Sequence, residues 1–301
     1  MELATTGEID DLDAALQQFR RSHPLQQCVL HGVTWRYVVG GNGAETLLQL
    51  PGAPGLAEMA FQYILAFEPD MRVLAPGYPA RVASIDELLS GLCALLDAEG
   101  IDRVHLVGGS YSGLVAQYLA GLYPERVASL MLGDTGVPRL RRAYLNLALL
   151  NTVGRMPIFM IHAVIYRMVR KMLVGTGNRH QFWWRYIRAV IANLRHEEFR
   201  NRMRVWIDMD QRARRIWATL PAWTGPALIV ETSNDPLFPS AERAILKARY
   251  PQARHYTFDD PGHTTALTRA PDYIAIMRQF LGSSGVSPGR RAARPGEKRY
   301  R

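Results

Sequence analysis

The 301-residue sequence predicts an α/β protein: a mostly parallel sheet of about eight strands, flanking helices and an inserted helical lid. Three observations carry this expectation. Short apolar runs alternate with amphipathic stretches, as βαβ units around a parallel sheet require. A small-residue turn, from Gly108 through Gly109, Ser110, Tyr111 and Ser112 to Gly113, joins an apolar run directly to a helix-forming one. Residues 138–220 have no strand pattern and are rich in Arg, Met and Trp.

Taken in order, residues 28–33 and 34–39 read as a leading pair of strands, closed by the turn-forming run Gly40, Gly41, Asn42 and Gly43. Residues 46–50 are a buried strand that stops at Pro51, Gly52, Ala53, Pro54 and Gly55. Residues 71–75 are the next strand. Residues 85–99 place Leu88, Leu89, Leu92, Leu95 and Leu96 at helical spacing. Residues 103–108 form the central strand, 111–123 the helix behind it and 127–132 another strand. Residues 227–231 and 254–258 complete the sheet, each followed by a helix. The chain thus divides into the first half of a core (1–137), a lid (138–220), the second half of the core (221–282) and a basic tail (283–301). Three or four lid helices are expected, broken at Gly154, at Pro157 and around Gly175, Gly177 and Asn178. The tail is nearly devoid of apolar residues and is expected to be disordered.

Composition narrows the function classes. Hydrophobic residues at 48% and charged residues at 21% are ordinary for a soluble globular enzyme. The acidic start lacks the features of a signal or transit peptide, and no apolar run approaches the roughly 18–20 residues of a membrane span. A cytoplasmic address is expected. Cys28 and Cys93 are far apart in apolar contexts and read as reduced thiols. The net charge of +9 is uneven: residues 138–220 hold 17 Lys+Arg against 4 Asp+Glu, and the tail holds 6 against 1. Such a lid attracts anionic partners (a carboxylated or phosphorylated ester, an acyl carrier protein, an anionic lipid surface), or else is a solvated face whose arginines stack over aromatics or pair with the acidic core. No nucleic-acid-binding motif is present, and the tail offers at most non-specific phosphate contact. His162 has no His, Cys or carboxylate at i+3 or i+4, so no metal or other cofactor is expected. Phe159, Met160, His162, Trp183, Trp184 and Trp206 are candidates for lining a pocket. Monomer and homodimer both stay open.

The glycine-rich turn carries the chemistry. A nucleophile on a tight strand-to-helix turn projects above the sheet, and small residues two before and two after it prevent backbone collision. Gly108 meets the first requirement and Ser112 stands in for glycine at the second, which singles out Ser110.

The segment from Leu106 to Leu132 resembles the nucleophile elbow of the α/β-hydrolase superfamily, and the resemblance extends over about 46–134 and 226–280. It implies a Ser-Asp-His order along the chain. The acid is then Asp235, in the setting Ser233, Asn234, Asp235, Pro236, and the histidine is His263 after Gly262. A serine has to be relieved of its proton before it attacks. Histidine is the side chain whose free imidazole titrates near neutrality, so His263 suits that role, and Asp235 would fix its tautomer and stabilise the imidazolium. Asp134, after the strand at 127–132, is the reserve acid, because some relatives place it there. Asp259 and Asp260 read as loop residues. The resemblance also implies an oxyanion hole from the backbone N–H groups of Ala53 and Tyr111.

A finer similarity to the maspardin-like branch rests on Phe19 to Leu25, Trp35 to Tyr37, Leu50 to Gly52 and Ala75 to Pro79. The expected activity is hydrolysis of an ester or thioester in a small acyl substrate through an acyl-Ser110 intermediate. The alternatives are a catalytically silent binding protein and C–C cleavage or lyase chemistry with the same residues.

Overall fold

The computed structural model describes residues 11–175 and 177–283. The expectation of a disordered tail concerns residues almost wholly outside that range. The sheet comprises β1 (Gln26–Leu30), β2 (Val33–Gly40), β3 (Thr46–Gln49), β4 (Arg72–Gly77), β5 (Val104–Gly109), β6 (Val127–Gly133), β7 (Ala227–Asn234) and β8 (Arg254–Pro261). Their spatial order is β1-β2-β4-β3-β5-β6-β7-β8. The β1–β2 and β2–β4 pairs are antiparallel, and every other pair is parallel. The chain runs from β3 outward to β4 and then crosses back to β5. That reversal leaves a crevice beyond the carboxyl ends of β3 and β5, where ligands bind in open α/β sheets.

Alternation along the strands divides the core. Leu48, Leu74, Leu106, Leu130 and Ile229 face one layer, and Leu47, Val73, Val107, Met131 and Leu228 face the other, the period of two that a pleated strand imposes. Helices α3 (Ile85–Ala98), α4 (Tyr111–Leu122) and α9 (Ser240–Arg249) cover the first layer. Helices α1 (Leu12–Ser22), α2 (Phe61–Phe67) and α11 (Ala270–Ser283) cover the second.

Three details correct the sequence reading. The first hairpin turns at His31 and Gly32, at φ 50° and 74°, not between residues 33 and 34. Two-residue hairpin turns need left-handed backbone, and histidine is a weak sequence signal for it. The run at Gly40 to Gly43 ends the pair where expected and links β2 to β3; there Gly41 (φ 69°) leaves no room for a side chain, since a Cβ would lie 2.1 Å from the Met71 carbonyl oxygen. Asp259 and Asp260 belong to β8 and not to a loop. Helix α1 was not anticipated, although Leu12, Leu16 and Phe19 have helical spacing and Asp11 caps it by accepting from the Ala14 N–H at 2.9 Å.

The strandless segment between β6 and β7 is helical. It contains α5 (Leu140–Thr152), α6 (Ile158–Met172), α7 (Gly177–Asn193) and α8 (His196–Gln211), followed by a π turn at Ala213–Trp217. A small core of Val153, Ile161, Phe199 and Met203 holds these helices to one another. Polar bonds anchor them to the sheet domain: Trp183 Nε1 donates to the Leu267 carbonyl at 2.9 Å, Tyr186 to Glu58 at 2.7 Å and Tyr118 to the Met209 carbonyl at 2.7 Å. At the base of this helical segment, Arg142 forks onto Asp210 through Nε and Nη2, both at 2.8 Å, and reaches Glu242 at 2.7 Å. Other lid arginines pair with Asp13 (Arg185) or Asp86 (Arg212), or lie over aromatic rings, as Arg188 does over Tyr166. Among the described residues no helix is long and apolar enough to cross a membrane. Cys28 and Cys93 are free thiols.

Candidate active site

Ser110 sits between β5 and α4 with φ 54° and ψ −123°, left-handed backbone that a non-glycine residue adopts only under constraint. The constraints are local. The Ser110 N–H donates to the Gly133 carbonyl at 2.8 Å, and Thr135 Oγ1 donates to the Ser110 carbonyl at 2.8 Å. A Cβ on Gly108 would stand 2.4 Å from the Ser112 carbonyl oxygen, and one on Gly113 2.5 Å from Thr135. Glycine is therefore required at 108 and 113. Ser112 is tolerated because its hydroxyl turns inward: it donates to the Gly109 carbonyl at 2.9 Å and accepts from the Gly109 N–H at 3.2 Å.

Asp235 follows β7. Its Oδ1 accepts from the N–H groups of Leu237 at 2.7 Å and Phe238 at 3.2 Å, an Asx turn that fixes the carboxylate plane. Its Oδ2 lies 2.8 Å from His263 Nδ1. His263, after β8, places Nε2 2.6 Å from Ser110 Oγ. With Nδ1–H donated to the acidic Asp235, Nε2 is left to accept from the hydroxyl. The Asp235 and His263 side chains are almost completely buried, and Ser110 is half-exposed. The histidine loop is also held by α6, since the His263 N–H donates to the Met172 carbonyl at 2.9 Å. A buried carboxylate, an oriented imidazole and a partly accessible hydroxyl in line can move a proton away from the hydroxyl as it attacks.

Asp134 does not reach His263. Its carboxyl accepts from Thr232 Oγ1 at 2.7 Å and Thr265 Oγ1 at 2.6 Å. Burial raises it to about 6; His263 and the two threonines oppose the shift, and Asp235 adds to it. Tyr111 opens α4, so its N–H has no intrahelical acceptor. Ala53 lies in the loop after β3, which the Leu50 N–H ties to the Val107 carbonyl at 2.9 Å beside the elbow. No described residue accepts from either N–H.

Of the lid aromatics, Trp206 faces the elbow, edge-on to Tyr111 at 5.8 Å. Trp183 packs against Phe61 and Phe182, and Trp184 against Tyr166. Phe159 and Met160 face solvent, and His162 bonds within the lid to the Leu194 carbonyl. The sequence reading missed Phe238, whose ring lies 5.6 Å from that of His263, and Tyr78 and Arg202 beside Tyr111. The i,i+4 spacing of Arg202 and Trp206 was the available signal for the last of these.

An eight-stranded sheet with this order, and an elbow after its central strand, define an α/β hydrolase. The chain belongs to that family: the sequence model described as alpha/beta hydrolase fold matches residues 72–270, more than half of its length. It is 24% identical to a poly(3-hydroxyalkanoate) depolymerase of Ectopseudomonas oleovorans, over 78% of this chain and 83% of that one. It is 26% identical to a 2-hydroxy-6-oxononadienedioate/2-hydroxy-6-oxononatrienedioate hydrolase of Pseudomonas putida, over 80% and 89%. Among solved structures, a thermophilic esterase from Thermogutta terrifontis superposes with a TM-score of 0.73 at 20% identity, covering 86% of this chain and 98% of that one.

Proposed function

We propose that the protein is a serine hydrolase that cleaves an ester or thioester of a small acyl substrate through an acyl-Ser110 intermediate. The observation that carries this reading is the unbroken line Asp235–His263–Ser110, at 2.8 and 2.6 Å. His263 takes the Ser110 proton as Oγ attacks the carbonyl carbon, and the resulting imidazolium is stabilised by Asp235. The carbonyl oxygen becomes an oxyanion facing the N–H groups of Tyr111 and Ala53, each such donor contributing roughly 10²–10³ in rate. His263 returns its proton to the leaving alkoxide or thiolate. Water then enters by the same route, with His263 again as base, and releases the acid.

An inert scaffold has no use for a left-handed serine aligned with a buried imidazole, and this argues for catalysis over a silent, maspardin-like role. C–C cleavage by the same three residues is the second reading, supported by the similarity to the Pseudomonas putida hydrolase.

Labelling with a fluorophosphonate, read by intact mass, together with hydrolysis of short p-nitrophenyl esters, tests the assignment. Wild type gains one adduct and turns over. Ser110→Ala gains none and loses roughly 10³-fold or more in rate. A folded wild type that is neither labelled nor active refutes it. Turnover of a 2-hydroxy-6-oxo acid with no ester hydrolysis transfers the assignment to the second reading.

A further inference from the structure

Helix α8 brings Arg202 and Trp206, one turn apart, down onto the elbow. The Arg202 guanidinium lies 4.8 Å from the Tyr78 ring and 5.8 Å from the Tyr111 ring. It also rests on the backbone of the loop that carries Ala53: a Cβ on Gly55 would be 2.3 Å from Nη2. Its hydrogen bond to the Tyr78 carbonyl is long at 3.3 Å, and its other polar neighbour is the Tyr111 hydroxyl. No described carboxylate pairs with it. The chain has no acidic residue at all between Asp134 and Glu197. Of the acids on α8, Glu197 is exposed, and Glu198 is engaged by Arg195, Asp208 by Arg212 and Asp210 by Arg142.

The groups around this cation share its polarity. The indole N–H of Trp206 is buried without a hydrogen-bond partner, and the buried hydroxyls of Tyr78 and Tyr111 have no well-formed bond, with only the Ser112 hydroxyl near the first and the Arg202 guanidinium near the second. Tyr111 is fully enclosed and Tyr78 is 6% exposed. A buried donor left unpaired is costly, and native structures seldom keep several together without a ligand, ion or ordered water that uses them. A guanidinium and three neutral donors, with no acidic acceptor among them, match a planar anion with two oxygens.

We propose that Arg202, Tyr78, Tyr111 and Trp206 form a carboxylate-binding subsite beside Ser110, so that the substrate is an ester or thioester whose acyl group ends in a carboxylate. This rests on the hydrolase reading, and binding separates the two. The Arg202 guanidinium shifts from the Tyr78 carbonyl to the carboxylate, and the tyrosine hydroxyls and the indole complete its shell. The basic lid then has a local purpose at one arginine, apart from any general field.

Calorimetric titration with glutarate measures the subsite without turnover. In parallel, kcat/KM is compared for p-nitrophenyl hydrogen glutarate and its neutral methyl ester. Wild type binds glutarate and prefers the anionic ester tenfold or more. Arg202→Gln weakens glutarate binding and shrinks the preference roughly ten- to hundredfold, the range of charge-assisted hydrogen bonds. Arg202→Lys recovers part of both, and Tyr111→Phe weakens binding severalfold while melting like wild type. Arg141→Gln makes the same charge change at an exposed position and leaves both readings alone. Absence of glutarate binding to folded wild type overturns the proposal, as does an equal loss in Arg141→Gln. Glutarate binding that depends on Arg202, without labelling or turnover, upholds the subsite and rejects the hydrolase reading.

Discussion

Replacing Arg142 with methionine, which keeps most of the side-chain volume, is expected to lower stability by about 3–5 kcal/mol, the cost of stranding buried carboxylates. The magnitude follows from the contacts. Asp210, whose side chain is wholly buried, loses two of its three donors and keeps the Arg139 N–H at 2.8 Å. Glu242 loses its 2.7 Å bond and keeps the Val137 N–H at 3.1 Å and the Arg139 guanidinium at 3.6 Å. Burial already raises the Asp210 carboxyl, and Arg142 is the largest influence pulling it back. Without the guanidinium its folded pKa rises further above the unfolded value. The variant's deficit is therefore greatest at neutral pH and shrinks on acidification, as the stranded carboxyls take up protons in the folded state. Calorimetric melting at pH 7.5 and 5.5 reads both effects, the first as a fall of roughly 6–10 °C for a chain of this size. Adding Asp210→Leu and Glu242→Gln recovers much of the loss. A variant within about 1 kcal/mol of wild type at both pH values would refute the view that this cluster fastens the lid.

Three further outcomes follow from the site. Asp134 has a folded pKa raised to about 6, so its contribution to stability is complete below its unfolded value and is lost as pH rises through 6, about 3 kcal/mol in all. Asp134→Asn removes that dependence, and its melting temperature gains on wild type between pH 4.5 and 7; a constant difference would disprove the assignment. Asp235→Asn keeps Oδ1 for the Leu237 and Phe238 N–H groups but turns an amide donor toward His263 Nδ1. Folding survives, and turnover falls roughly 10³–10⁴-fold through the wrong tautomer; near-normal esterase rates would contradict this. Gly113→Ala drives a methyl into Thr135, which also holds the Ser110 carbonyl, costing about 1–3 kcal/mol along with fluorophosphonate reactivity. Thr135→Ala in the same chain restores part of the stability, and failure to do so would show the clash is not the cause.

The sheet was legible because its strands are short apolar runs punctuated by glycine and proline, and parallel strands buried on both faces leave that trace. The elbow was legible because its geometry excludes a side chain at 108 and admits only a small residue at 112. Local sequence does not encode which distant arginine settles over which ring, so Arg202 above Tyr78 and Tyr111 depends on the lid's tertiary packing. The first hairpin was misplaced because His31 supplies a left-handed φ that is usually the work of Asn or Gly. Asp134 shows the limit of the motif: its position after β6 suits an acid partner, but two threonines from β7 and α10 (Thr265–Thr268) claim both of its oxygens.

Ser110, Asp235 and His263 all stand on loops that leave β5, β7 and β8, whereas the lid enters between β6 and β7. It holds the histidine itself through the Met172 carbonyl, a main-chain group that any residue at that position supplies, and the short helix after it through the Trp183 indole. The chain can therefore change diet without changing its teeth. If the proposed hydrolase reading and its carboxylate subsite hold, substitutions on α8 alter what is admitted, substitutions at the strand ends decide whether anything reacts, and the two sets are free to drift at different speeds.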